Sequence, residues 1–133
     1  MPLNKKRILL ADDDLEDQDM LVDALQRVDV SLHIDTVSNG KQVLDYLSSC
    51  QKDDLPCLII LDYKMPILNA AEVLEKMMEE QQYVVIPKIV WSTSRQEEHM
   101  TRCLKAGASQ YFIKPNDVAE LKSIAAGMVE ACS

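Results

Sequence analysis

The segment CLIIL, residues 57–61, decides the fold. It is apolar at every position and follows the turn-forming segment DDLP at residues 53–56. A strand without a polar face is buried on both sides, which is typical of the centre of a parallel sheet covered by helices. The next residue is Asp62. The sequence therefore predicts a central strand that delivers a carboxylate at its carboxyl end.

Four more short apolar segments alternate with longer segments of helical period. Strands are predicted at residues 7–11, 32–37, 57–61, 88–91 and 109–113. Helices are predicted after the turn SNG at 38–40 and at about 16–28, 69–82, 95–106 and 117–131. This order predicts an α/β fold of the (βα)5 type, in which a parallel sheet lies between two layers of helices.

The length of 133 residues matches one domain, so we expect a single domain over residues 1–133 with no output domain attached. The net charge of −8 argues against direct nucleic-acid binding, which requires clustered Lys and Arg. No apolar run approaches the roughly 20 residues of a membrane span, and the chain starts without a signal peptide, so we expect a cytoplasmic protein. The cysteines are Cys50, Cys57, Cys103 and Cys132. Because none has C-x-x-C spacing, we expect them to be reduced and to bind no zinc.

Polar residues follow four of the predicted strands. They are Asp12 and Asp13 after the first strand, Asp62 after the third, Ser92 after the fourth and Lys114 after the fifth. Because ligands of open parallel sheets bind outside the carboxyl ends of the strands, we expect these side chains to share one edge. Carboxylates suit a hard divalent cation such as Mg²⁺, and a carboxylate can attack phosphorus when Lys and Ser neutralise the phosphoryl oxygens. Each residue alone is more often a helix cap, a loop hydroxyl or a solvated charge, so the prediction depends on their joint placement.

Four motifs at the strand ends carry a family resemblance. They are ILLADDD (8–14), LIILDYKMP (58–66), VWSTS (90–94) and YFIKP (111–115). Together they resemble the response-regulator receiver domain of two-component signalling, over essentially the whole chain. The segment IPKIVWSTSRQEEHM (86–100) further resembles the stand-alone, chemotaxis-regulator-like receivers that include partners of bacterial phytochromes. The resemblance implies a flavodoxin-like fold with strand order 2-1-3-4-5, and a switch that signals through protein contact and turns over no free metabolite.

The resemblance also implies how the acidic residues act. Asp62 would accept a phosphoryl group from a sensor histidine kinase or a histidine phosphotransfer protein. Mg²⁺, for which Mn²⁺ could substitute, would be held by Asp12, Asp13 and Asp62. The backbone carbonyl of Lys64 would complete the protein ligands of the metal.

The remaining roles implied by the resemblance concern the phosphoryl group and the switch. Ser92 and Lys114 would contact the phosphoryl group, and the Lys114–Pro115 peptide would be cis. Ser92 would move to meet the phosphoryl group, and Tyr111 would swing inward to fill the vacated space. The resemblance allows a homodimer and requires a downstream protein target, and the sequence identifies neither.

Three other functions are less compatible with the sequence. Asp12 and Asp14 form the D-x-D of a haloacid-dehalogenase-like phosphatase, but the residues that follow, LED at 15–17, lack its Gly-Thr/Val-Thr continuation. A flavin-binding module would need a Ser/Thr/Gly-rich phosphate loop after the first strand, which is missing. A degenerate receiver acting as a scaffold would not keep every site residue. Asp14 is better suited to cap the first helix, where a carboxylate meets the positive end of the helix dipole.

Overall fold

The computed structural model describes residues 6–132, which form an α/β fold around one five-stranded sheet. The strands are β1 (Arg7–Ala11), β2 (His33–Val37), β3 (Leu58–Leu61), β4 (Lys88–Ser92) and β5 (Gln110–Ile113). All pairings are parallel, and the order is β2-β1-β3-β4-β5. The predicted fold class and strand order are confirmed, and β3 lies at the centre of the sheet.

Helices cover both faces of the sheet. They are α1 (Leu15–Val28), α2 (Gly40–Ser49), α3 (Ala70–Met77), α4 (Gln81–Val84), α5 (Glu97–Lys105) and α6 (Val118–Ala131). A short 3-10 turn at Lys52–Asp54 precedes β3. None of the helices within residues 6–132 is long and apolar enough to cross a membrane.

Alternate side chains of the central strands enter two separate apolar cores. Leu9 and Ile59 face the core formed with α2, α3 and α5. Ile8 and Ile60, one position along, face the core formed with α1 and α6. Because strand side chains alternate between the two faces, a strand that is apolar at every position fills both cores, as the sequence predicted for β3.

The helix predicted at 69–82 is divided into α3 and α4. α3 ends at Met77, and Glu80 has an extended backbone, with φ −118° and ψ 113°, before α4 begins. Met77 is fully buried whereas Met78 is 53% exposed, so the apolar periodicity stops at this point. Glu79 and Glu80 follow, and carboxylates at a helix C-terminus oppose the helix dipole. The prediction of one continuous helix was therefore wrong.

A disulfide joins Cys57 to Cys132, which corrects the prediction that the cysteines are all reduced. Cys57 immediately precedes β3 and Cys132 follows α6, so the two residues meet at the amino edge of the sheet. Their Cα atoms lie 4.9 Å apart, within the range that a disulfide requires. The two cysteines are separated by 75 positions, so local spacing gave no sign of the pair. Cys50 and Cys103 are free.

Candidate metal-binding site

Two neighbouring strands bring the acidic residues together. Ala11 of β1 pairs with Leu61 of β3. The next residues, Asp12 and Asp62, therefore follow side by side, and the Asp62 N–H donates to the Ala11 carbonyl at 2.9 Å. One carboxylate oxygen from each of Asp12, Asp13 and Asp62 lies within 4.8 Å of the others. This spacing allows three oxygens to contact one divalent cation, which prefers such ligands.

The ammonium group of Lys114 compensates the buried carboxylates. Its Nζ lies 2.9 Å from Asp12 Oδ2, 2.8 Å from Asp17 Oδ2 and 3.3 Å from Asp62 Oδ2. Burial opposes the charged form of this lysine, but hydrogen bonds with Asp17 and Asp12 outweigh burial and raise the pKa of Lys114. The side chains of Lys114 and Asp12 are 8% and 0% exposed, so water screens their attraction only weakly. Removing the ammonium would leave uncompensated buried charge, which is strongly destabilising.

Asp62 is a buried carboxylate whose pKa is raised. Burial raises its pKa from the ordinary 3.8 to about 7, while Lys114 lowers it and Asp12 raises it again. Without a metal ion, this carboxyl group therefore holds a proton up to near-neutral pH. A divalent cation at the cluster favours the ionised form, which is the form able to attack phosphorus.

The predicted hydroxyl and the predicted switch tyrosine are linked through Ser94. Ser92 ends β4 and is 1% exposed, and its carbonyl accepts the Lys114 N–H at 2.9 Å. The Ser92 Oγ accepts the N–H of Ser94 at 3.1 Å. The Tyr111 hydroxyl donates to the Ser94 carbonyl at 3.0 Å. Ser92 and Lys114 thus lie on adjacent strand ends, and Tyr111 is tied to the loop that follows Ser92.

The peptide between Lys114 and Pro115 is trans, because residues 6–132 contain no cis peptide bond. The predicted cis peptide was therefore wrong for this structure. The trans form of an X-Pro bond is favoured by about 0.5–1 kcal/mol, so cis requires a contact that selects it. Here the Lys114 backbone N–H and its ammonium both find their partners with a trans peptide. Lys64, whose backbone carbonyl was predicted to bind the metal ion, lies in the loop after β3. Its side chain is exposed.

Two residues in the first turn of α1 support the site and were missed by the sequence analysis. Asp17 is one of the partners of the Lys114 ammonium. Gln18, 6% exposed, donates through Nε2 to the Asp12 carbonyl at 2.8 Å and to the Val37 carbonyl at 2.9 Å. Gln18 thereby joins the end of β2 to the end of β1 that carries the candidate metal ligands. The available signal was spacing, because α1 begins directly after the acidic triplet and its first turn must lie over the carboxyl edge.

The loop after β3 is shaped by close packing and a strained turn. Ile67 has a φ of 73°, and the Leu68 N–H donates to the Pro66 carbonyl at 2.8 Å. Together these features form a γ-turn with a positive φ, which is rare and strained. A Cβ on Gly40 would overlap the carbonyl oxygen of Leu68, so a glycine at the start of α2 allows the loop to lie this close.

Trp91 packs beneath the site. It is 1% exposed on β4, and its ring centroid lies 5.1 Å from the Lys114 Nζ. Within the described chain its Nε1 is the buried side-chain polar atom without a hydrogen-bond partner. The ring therefore contributes apolar packing and a cation–π contact to the same ammonium that binds the carboxylates.

The fold and the site define a class, which is a flavodoxin-like α/β protein with an acidic pocket at the carboxyl edge of the sheet. The sequence matches the response regulator receiver domain family over residues 8–126, and the chain belongs to this family. Receiver domains act as phosphoacceptor switches in two-component signalling rather than as enzymes that turn over a metabolite. They bind Mg²⁺ or Mn²⁺ in an acidic pocket, and the three aspartates of this chain fit such an ion.

Known proteins similar to this chain include plant response regulators and a phytochrome response regulator. The two-component response regulators ARR8 and ARR7 of Arabidopsis thaliana are 29% and 31% identical to it, over 96% and 88% of its length. The chain spans only 62% and 59% of those two proteins. The phosphorylated cyanobacterial phytochrome response regulator RcpA is 27% identical with a TM-score of 0.85, covering 94% of this chain and 91% of RcpA.

Proposed function

We propose that the protein is a phosphorylation-controlled switch whose phosphoacceptor is Asp62. The observation that carries this proposal is the group of Asp12, Asp13 and Asp62 oxygens within 4.8 Å, together with the adjacent Lys114 ammonium. The three oxygens and the backbone carbonyl of Lys64 are ligands for Mg²⁺, for which Mn²⁺ can substitute. Such an ion, when bound, supplies positive charge that offsets the charge of the phosphoryl oxygens.

The proposed reaction transfers a phosphoryl group from phosphohistidine to Asp62. The ionised carboxylate forms an O–P bond, the N–P bond of the donor breaks, and the leaving imidazole takes up a proton from solvent. Lys114, now paired with the carboxylates, has its ammonium placed to pair with a phosphoryl oxygen, and the Ser92 hydroxyl donates to another. The donor is a sensor histidine kinase or a histidine phosphotransfer protein, and the reaction takes place in the cytoplasm. Because RcpA is a phytochrome response regulator, a phytochrome-type kinase is the first donor to test.

The output of the switch is a change in protein contact. The phosphoryl group adds nearly two negative charges and strong hydrogen-bond acceptors beside Lys114. Ser92 moves to meet it, and Tyr111 follows because both are bound to Ser94. The altered surface is recognised by a downstream protein or by a second copy of the chain.

The contacts of Asp14 favour this function over a phosphatase of the D-x-D type. The Asp14 side chain accepts the N–H of Asp17 at 3.1 Å and caps α1. The carboxylates that lie within 4.8 Å of one another are those of Asp12, Asp13 and Asp62, and Asp14 is not among them. The second carboxylate of the D-x-D pair is thus used to stabilise a helix end.

The test is incubation with acetyl phosphate and Mg²⁺ followed by intact-mass measurement. The wild type is expected to gain one phosphoryl group, and Asp62→Asn and an EDTA-treated sample are expected to gain none. Asp53→Asn is the matched control, because it removes an exposed carboxylate that precedes β3, at the opposite end of that strand from Asp62. An unlabelled wild type, or label that persists in Asp62→Asn, would contradict the proposal.

A further inference from the structure

His99 connects the two loops that flank the phosphoacceptor, and the proposed function gives it no role. It lies in the first turn of α5, and its Nδ1 is 2.6 Å from the Ser94 Oγ. Its ring stacks on Tyr63, with centroids 3.9 Å apart and planes inclined by 15°. Tyr63 directly follows Asp62 and is 6% exposed. His99 therefore contacts the loop after β3 through its ring and the loop after β4 through its nitrogen.

Ser94 is the residue through which His99 can act on the switch. Its side chain is bound on two sides, because the Oγ also accepts the N–H of Gln96 at 3.3 Å. Its backbone carries the contacts of the switch, namely the N–H to Ser92 and the carbonyl to the Tyr111 hydroxyl. Ser94 is 9% exposed, so little water competes for these groups. The direction of the Ser94 carbonyl thus depends on how firmly its side chain is held.

We propose that His99 is a positioning residue of the switch. Its hydrogen bond to the Ser94 Oγ fixes Ser94 so that the Ser94 carbonyl holds the Tyr111 hydroxyl. Its role in signalling rests on the proposed function, since a phosphoryl group on Asp62 would reach His99 through Tyr63. Its effect on Tyr111 exists before phosphorylation, because every contact described is present in the unmodified protein.

Two substitutions separate the ring of His99 from its hydrogen bond. His99→Phe keeps a ring to stack on Tyr63 and removes the bond to Ser94, whereas His99→Asn keeps a polar atom near the Nδ1 position and removes the ring. The measurement is ¹⁹F NMR of protein labelled with 3-fluorotyrosine, in which Tyr111→Phe assigns one of the four tyrosine signals. His99→Phe is expected to lower the ratio of Ser94-bound to released Tyr111 about fivefold, which is about 1 kcal/mol, the size of one ordinary hydrogen bond. His99→Asn is expected to stay within about twofold of the wild type.

Controls test whether the effect passes through Ser94. In a Ser94→Ala background, His99→Phe is expected to cause no further change in the Tyr111 signal. His33→Phe replaces the other histidine, which is exposed on β2, and is expected to leave the Tyr111 signal in place. An unchanged Tyr111 signal in His99→Phe would overturn the proposal. An equal displacement in His99→Asn or His33→Phe would also overturn it, because the hydrogen bond would not be the cause.

Labelling by acetyl phosphate in the same variants separates this proposal from the proposed function. His99→Phe is expected to be phosphorylated to within about twofold of the wild type while its Tyr111 signal is displaced, because no contact of His99 reaches the carboxylates. Loss of labelling with an undisplaced Tyr111 signal would overturn the positioning role. A wild type that gains no phosphoryl group would contradict the proposed function. The Tyr111 signals of the unphosphorylated variants would still decide whether His99 positions Ser94.

Discussion

Replacing Asp62 with Asn is expected to stabilise the metal-free protein at pH 8. Asp62 is 6% exposed, and burial raises its pKa to about 7 even though the Lys114 ammonium is 3.3 Å away. The folded protein therefore binds this proton more tightly than the unfolded chain does. The contribution of Asp62 to stability is fully present below pH 3.8 and is lost as the pH rises through about 7. Asn keeps the size and polarity of the side chain and has no charge to bury.

The size of the effect follows from the pKa. A value of about 7 in place of 3.8 corresponds to about 4 kcal/mol of differential stability. The neighbouring Asp13 is exposed, so water can enter the pocket as the folded protein relaxes around the charge, and this reduces the expected gain to about 2 kcal/mol. The gain is complete above pH 7. At pH 5 the gain is smaller, because part of the folded wild type then holds the proton and its Asp62 carries no charge.

The assay is urea unfolding in EDTA from pH 5 to pH 8, followed by circular dichroism. Asp53→Asn serves as the control, and its change is expected to stay within about 0.5 kcal/mol because its side chain is exposed. An Asp62→Asn variant less stable than the wild type at pH 8, or equally stabilised at pH 5 and pH 8, would refute the reasoning. Added Mg²⁺ is expected to raise the stability of the wild type and of Asp53→Asn but not of Asp62→Asn, since the ion binds the folded site and requires the Asp62 carboxylate.

Three further changes test the packing around the sheet. Gly127 lies inside α6, and an added Cβ would meet nothing within 4 Å. Gly127→Ala is therefore expected to raise the free energy of unfolding by about 1 kcal/mol in urea titrations. A decrease would contradict the helical conformation of Gly127. Gln18→Leu removes the side-chain donor of the Asp12 carbonyl and one of the two donors of the Val37 carbonyl, which keeps the Asp12 N–H. It is expected to cost about 2 kcal/mol and to weaken Mg²⁺ binding in calorimetry, whereas unchanged affinity would show that Gln18 only supports the fold. Alkylation of the unreduced, denatured protein is expected to modify two of its four cysteines, and four modified cysteines would exclude the disulfide. Reduction is expected to lower the free energy of unfolding by about 4 kcal/mol, because the disulfide links positions 75 apart.

The parts of the structure that follow from sheet geometry could be predicted from the sequence. Once β1 and β3 are parallel neighbours, the residues after Ala11 and Leu61 must lie side by side, and the aspartates meet without further information. The cap at Asp14 was predictable for a similar reason, because its contact is three residues away along the chain.

The features that the sequence could not reveal depend on distant contacts or small energy differences. The disulfide joins cysteines that only the complete fold brings together. Asp17 and Gln18 look like solvated residues of a polar helix turn until β5 and β2 supply their partners. The trans peptide before Pro115 differs from cis by about 0.5–1 kcal/mol, which no local pattern resolves.

Trp91 has a consequence for how the protein can be observed. It is the single tryptophan of the chain. The Lys114 ammonium lies 5.1 Å from its ring centroid and also binds the carboxylates of Asp12, Asp17 and Asp62. A positive charge beside an indole alters the energy and brightness of its fluorescence, so any displacement of Lys114 changes the emitted light. The protein thus contains an intrinsic optical probe one side chain away from Asp62, and occupancy of the acidic cluster can be followed in the unlabelled molecule.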